Sequence, residues 1–127
     1  MPLTVVSEQG TAAGIHIVRP AGSLDSNTSS ILDDHLAGLR RDGATTLVLD
    51  LKNLTYISSA GVRVILVAKK AMKAAGGDVA LTNLQPQIRK VFDIIQALPS
   101  LNVFESVADL DRYLAGIQKK VREGGTS

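Results

Sequence analysis

Residues 46–75 read TLVLDLKNLTYISSAGVRVILVAKKAMKAA, and two different rhythms meet in them. Thr46 to Leu51 is apolar on both parities, the pattern of a central strand covered on two faces. From Gly61 onward the apolar residues recur at helical spacing. Gly61, Val64, Ile65, Ala68, Met72 and Ala75 share one face, and Arg63, Lys70 and Lys73 lie opposite. Gly76-Gly77 stops this helix near Ala75. The joint is a short connection leading into the turn Ser58-Ser59-Ala60-Gly61, and the helix begins close to Ser59. A strand handing over to an amphipathic helix is a building unit of α/β folds.

The same alternation runs outward in both directions. Upstream, Leu3 to Ser7 reads as an edge strand, and Ile15-His16-Ile17-Val18-Arg19 as a second strand ended by Pro20. Gly10 and Gly14 loosen the turn that would join them as a hairpin. A helix is expected to open near Ser26-Asn27-Thr28, whose side-chain oxygens can accept from free amides. Leu32, Leu36 and Leu39 would mark its inner face, and Gly43 follows its end. Downstream, Val79-Ala80-Leu81 is a short strand. Pro86 suits a first helical turn, which leaves unpaired the amide hydrogen that proline lacks. Ile88, Val91, Phe92 and Ile95 form that helix's stripe, and Pro99 bars its continuation. Leu101 to Phe104 reads as a last strand. Ser106 with Asp109 resembles a capping pair for a final helix carried by Val107, Leu110, Leu114 and Ile117. The expected architecture is therefore α/β, a small mixed sheet of four to five strands packed with about four helices. One domain would occupy residues 1–118, and the charged tail 119–127 would be disordered.

Composition narrows the function. A chain of 127 residues can bury one core but not two. It has no cysteine, which removes disulfides, thiolate-bound zinc and thiol catalysis. The net charge is only +2, and Lys119, Lys120 and Arg122 of the basic complement sit in the tail. With two Tyr, two Phe and no Trp, neither a basic stripe nor a stacking platform is present, so no nucleic-acid partner is expected. No apolar run approaches the ~20 residues of a bilayer span. The most apolar stretch, Val62 to Ala68, already contains Arg63, and Met1 to Thr4 shows no charged-then-apolar leader. A cytoplasmic protein without a membrane partner is expected.

Few side chains offer catalysis. His16 and His35 are the only histidines, and a metal site needs more converging ligands than they supply. His35 is expected on a helix surface near Asp33 and Asp34, with no acid–base role for any of the three. Gly10, Gly14 and Gly22 form no phosphate-binding pattern. Asp50, at the end of an apolar strand, is placed as a receiver domain places its phospho-acceptor. Such a domain also needs an early acidic pair for Mg²⁺, and the early chain offers only Glu8. Asp50 is expected instead to tie down the turn that follows it. No catalytic residue, metal or cofactor is expected, so the chain reads as a non-enzyme. The turn at Ser58 remains. A helix start presents unpaired N–H groups and the positive end of the helix dipole. A hydroxyl there can cap the helix or carry a phosphate that those groups stabilise. From two adjacent serines alone, capping is the ordinary reading.

A resemblance shifts that balance. Leu47 to Leu66, with Asp50, Tyr56-Ile57, Ser59, Gly61 and Val64-Ile65-Leu66, resembles the signature segment of anti-sigma factor antagonists, members of the STAS domain family. Gly22-Ser23-Leu24-Asp25 resembles that family's Gly-x-Leu-Asp turn at the end of the second strand, and the similar layout runs from Leu3 to Ile117. The resemblance implies a partner switch. An unphosphorylated antagonist binds an anti-sigma factor that is also a serine kinase, phosphorylation of one serine releases it, and a serine phosphatase resets it. The modified serine follows the aspartate of an Asp-Ser-Ser/Thr-Gly motif and corresponds to Ser59, with Ser58 as a competing acceptor. By the same resemblance the partner surface comprises Asp25, Ser58, Ser59, Gly61, Val62 and Leu66, although Val62, Leu66 and Val67 also read as core. The chain departs from the motif at Ser58, where the aspartate stands, and at Ala60, where the second hydroxyl stands. Two other readings stay open, a STAS scaffold that assembles signalling complexes without phosphorylation and, less favoured, a receiver-like acceptor. Nothing in the sequence requires more than a monomer.

Overall fold

In the computed structural model, which describes residues 3–10, 12–95 and 102–104, the apolar run at Thr46 becomes the middle of a six-stranded sheet. The described elements are β1 (Leu3–Gln9), β2 (Ile15–Leu24), α1 (Ser29–Arg41), β3 (Thr46–Asp50), β4 (Leu54–Ile57), α2 (Ser59–Ala74), β5 (Asp78–Thr82), α3 (Pro86–Ile95) and β6 (Asn102–Phe104). The sheet order is β1-β2-β3-β5-β6, with β4 pairing β2 beyond the end of β3. Only β1 runs antiparallel to its neighbour; β2–β3, β2–β4, β3–β5 and β5–β6 are all parallel, so the sheet is mixed as expected. The final helix expected over 106–117, the boundary at 118 and the tail lie outside the described residues.

Leu47 and Leu49 of β3, Val79 and Leu81 of β5 and Val18 of β2 project to one face, where they meet Leu32 and Leu36 of α1, Ile65, Ala68 and Met72 of α2, and Ile88 and Phe92 of α3. All these side chains are almost wholly buried. Each contributes roughly 1–3 kcal/mol by leaving water. The other parity of the same strands, Ile15, Val48 and Ala80, forms a smaller cluster on the opposite face. That is why Thr46 to Asp50 is apolar on both parities.

Two expectations need correction. Pro20 does not end β2, which continues through it to Leu24. Residues 15–18 pair with β3 and residues 22–24 with β4, so the positions between them have no strand opposite on that side. Gly22 donates its amide toward that side, to the Asn53 carbonyl. Pro20 shares the parity of Gly22, so its missing donor costs no ladder bond. Second, the connection before Ser58 contains a strand, β4, which raises the sheet to six strands from the four to five expected. His35 lies on the partly exposed surface of α1 after Asp33 and Asp34, as expected. Its Nε2 lies 2.8 Å from the Ser7 hydroxyl and ties α1 to β1.

Asp50 behaves as expected. It is only 6% exposed, and its Oδ1 accepts from the Lys52 amide and the Asn83 side-chain amide, both at 3.1 Å. The Arg19 guanidinium lies 3.5 Å from its Oδ2 and reaches Glu8 at 2.8 Å. A carboxylate so enclosed is a strut between β2, β3 and the loop after β5, which removes the accessibility that a receiver's acceptor needs.

Candidate functional site

Two helix starts lie side by side because two strands do. β2 and β4 run parallel with Ser23 opposite Tyr56 and Leu24 opposite Ile57, and the Ser58 amide donates to the Leu24 carbonyl at 2.9 Å. The chain leaves β2 through Asp25 into α1 and leaves β4 through Ser58 into α2. The Gly-x-Leu-Asp turn and the Ser58 turn, 33 residues apart, thus share one edge of the molecule.

At the first turn, Asp25 organises the backbone. Its Oδ1 accepts from the amides of Asn27 at 2.9 Å and Thr28 at 3.1 Å, and its carbonyl accepts from the Ser29 amide at 2.8 Å. Thr28 locks the turn from the other side: its hydroxyl donates to the Ser23 carbonyl at 2.8 Å and accepts from the Asp25 amide at 2.9 Å. Thr28 occupies the cap position of α1 without a side-chain cap bond. No side chain caps α1 itself; the Asp25 carboxylate accepts the two amides just ahead of the helix, where its negative charge is favoured by the helix dipole.

At the second turn the two serines separate. Ser58 is the cap of α2, in extended conformation, and its hydroxyl accepts from the Gly61 amide at a long 3.4 Å while its carbonyl accepts from the Val62 amide. It is half-buried. Ser59 is the first helical residue, exposed, and its hydroxyl has no hydrogen-bond partner among the described residues. Gly61 sets this geometry. A Cβ on it would stand 2.7 Å from Leu24 Cγ and 2.8 Å from Ile57 Cγ1, so only glycine lets α2 rest directly on the ends of β2 and β4.

The six residues expected at a partner surface therefore divide. Asp25, Ser58 and Leu66 are half-buried and Ser59 is exposed, whereas Gly61 and Val62 are buried and can shape that surface only from beneath. Val67, read as core or groove, is 54% exposed. Two further exposed apolar residues flank the site, Tyr56 on β4, marked in the sequence only as part of the signature segment, and Ile31 in the first turn of α1, which the sequence did not single out. Tyr56 has the composition of a strand interior, and only the pairing of β4 shows which way it points. Along α2, Arg63 is exposed one turn beyond Ser59, and no ion pair engages it among the described residues. The far end of the helix is anchored instead. Asp78 pairs with both Lys69 and Lys73. Burial alone would raise the Asp78 pKa, but hydrogen bonds from Lys69 and the Val79 amide, with the charges of both lysines, bring it below its ordinary value.

Among the described residues no group of three or more His, Cys, Asp or Glu side chains could hold a metal ion, and no helix is long and apolar enough to cross a membrane. The arrangement is a rigid turn beside an accessible hydroxyl, rimmed by exposed apolar side chains and one arginine.

Comparison with known proteins agrees with this layout. The model of the STAS domain family matches residues 8–110. The protein BtrV of Bordetella bronchiseptica is 36% identical over 98 residues, covering 75% of this chain and 84% of that protein. The anti-sigma F factor antagonist of Paenibacillus polymyxa is 29% identical over 94 residues, covering 73% and 80%. The fold superposes on that of the Bacillus protein SpoIIAA, an anti-sigma factor antagonist. Its unphosphorylated form gives a TM-score of 0.74 at 23% identity, covering 88% of this chain and 97% of that one. Its phosphorylated form gives 0.66 at 22% identity, covering 87% and 99%.

Proposed function

The chain belongs to the STAS domain family, and from that premise we propose that it is an anti-sigma factor antagonist working as a phosphorylation-controlled partner switch. With Ser59 unmodified it binds an anti-sigma factor that is also a serine kinase. The kinase transfers the γ-phosphoryl group of bound ATP to Ser59 Oγ. The hydroxyl proton leaves with a base of the kinase, ADP is released, and the complex dissociates. A serine phosphatase hydrolyses the ester and restores the binding form. The observation that carries this reading is the division of labour between the serines: Ser58 is engaged as a helix cap, and Ser59 stands exposed at the first helical position.

The switch needs no change of fold. Phosphorylation adds about 1.5–2 negative charges at neutral pH, and these must be desolvated if the interface is to stay closed. Each ~1.4 kcal/mol lost lowers affinity tenfold. Asp25 supports the reading as the organiser of the adjoining turn. Phosphorylated and unphosphorylated forms of SpoIIAA share this fold, which is consistent with a local switch.

A second reading is favoured by Ser58 and Ala60, which replace two positions of the family's motif. In it the same surface docks a partner permanently, as a scaffold. Incubation with candidate anti-sigma kinases and ATP, followed by mass spectrometry, separates the two. Phosphoserine at position 59 supports the switch, and binding without modification supports the scaffold.

A further inference from the structure

We infer that Arg63 holds the phosphate of Ser59 in the phosphorylated protein. Residues four apart on a helix face one another with their Cβ atoms about 6 Å apart. Ser59 and Arg63 have that spacing within α2, both are exposed, and no carboxylate among the described residues engages the guanidinium. The first turn of α2 contains no acid, and neither does the rest of the helix. Its remaining cations are distant or engaged: Lys69 and Lys73 pair with Asp78, and Lys70 lies three turns from Ser59. Arg63 is thus the one cation of α2 within a turn of the hydroxyl. Arginine also presents parallel N–H donors that match phosphate oxygens.

The departure at Ser58 acquires a purpose in this arrangement. A carboxylate preceding Ser59 would repel the phosphate, whereas the Ser58 hydroxyl carries no charge. The titratable groups at the neighbouring strand ends are Asp25 and Tyr56, and Oδ1 of Asp25 is tied within its own turn. The released form is then stabilised by a contact inside the chain, without a second protein. This inference deepens the phosphorylation reading of Ser59 and rests on it.

The test uses the full chain with phosphoserine incorporated at position 59 during synthesis, so that no kinase is needed. The second ionisation of the phosphate, near pH 6 in an isolated phosphoserine, is followed by ³¹P NMR. Arg63 favours the dianion, so the wild-type background should titrate roughly half a unit below Arg63→Gln, the size expected for one cation about 6 Å away in a water-like dielectric. Arg63→Lys should retain part of the shift, Lys70→Gln should leave it unchanged, and 0.5 M salt should reduce it. Coincident titrations of wild type and Arg63→Gln, or an equal effect of Lys70→Gln, would overturn the inference while leaving the switch intact. If no kinase modifies Ser59 but the shift is present, the switch fails and the electrostatic pairing stands.

Discussion

The two helix starts at the ends of β2 and β4 are neighbours built from similar small polar residues, yet they are secured in opposite ways. Before α1, one carboxylate accepts two backbone amides, and a threonine hydroxyl bridges back to the strand, all within 3.1 Å. Before α2, a single hydroxyl accepts one amide at 3.4 Å, and the next side chain has no hydrogen-bond partner among the described residues. Helix α2 can tolerate a lightly held start because its remaining attachments are strong. Val62, Ile65, Ala68 and Met72 are buried beneath it, and Asp78 clamps its last turns through Lys69 and Lys73. A turn that already meets its own hydrogen-bonding needs is a poor place for chemistry, whereas an available hydroxyl on a fixed platform is a good one.

The largest expected effect lies at the free hydroxyl. Ser59→Asp should weaken binding of the anti-sigma partner by about a hundredfold, near 3 kcal/mol, while leaving the thermal melt almost unmoved. Equal affinities in calorimetry would erase the functional difference between the two turns. Next comes the contact that seats both turns. Gly61→Ala should cost about 2 kcal/mol in urea denaturation, because its Cβ overlaps Leu24 and Ile57, whose side chains have little room to retreat.

Removing the side-chain acceptor at each turn separates the two. Asp25→Ala should destabilise by about 1.5 kcal/mol and Ser58→Ala by only about 0.5 kcal/mol, in the order of the bonds each group makes. Asp25→Asn, which keeps an oxygen acceptor, should recover much of the loss. Equal costs for the two alanine variants would show that the two turns are equally secured. The smallest effect concerns the clamp at the other end of α2. The folded-state pKa of Asp78 is below its ordinary 3.8, so its contribution is fully present above that value and disappears as the pH falls through the lower folded value. The stability gap between wild type and Asp78→Asn should therefore be constant from pH 5 to 7 and close only below about pH 3.8. A gap that closes at neutral pH would show that a different group is titrating.

Much of the site was legible because its elements announce themselves locally. The helical recurrence from Gly61 to Met72 located α2, the doubly apolar run located β3, and the serine pair was identifiable as a helix start before any coordinates. What failed was whatever depended on pairing across long stretches of chain. Leu54 to Ile57 carries two exposed residues between two buried ones and has no strand alternation of its own. It is a strand because residues 22–24 of β2 extend beyond β3 and offer a free edge. Pro20 reads as a strand end, yet it falls where no partner strand stands opposite.

The sequence by itself determined the α/β class, the mixed sheet and the apolar faces of the helices, because each follows from periodicity or residue type within a few positions; Ser59 was singled out by the resemblance of its segment to the family's motif. Only the tertiary structure decided which serine caps and which is free, that Asp25 stands beside them, and that Gly61 is the contact holding both turns together. Those facts depend on two parallel strands aligning in register, and register is set by the packing of the whole sheet, which no short window of residues contains.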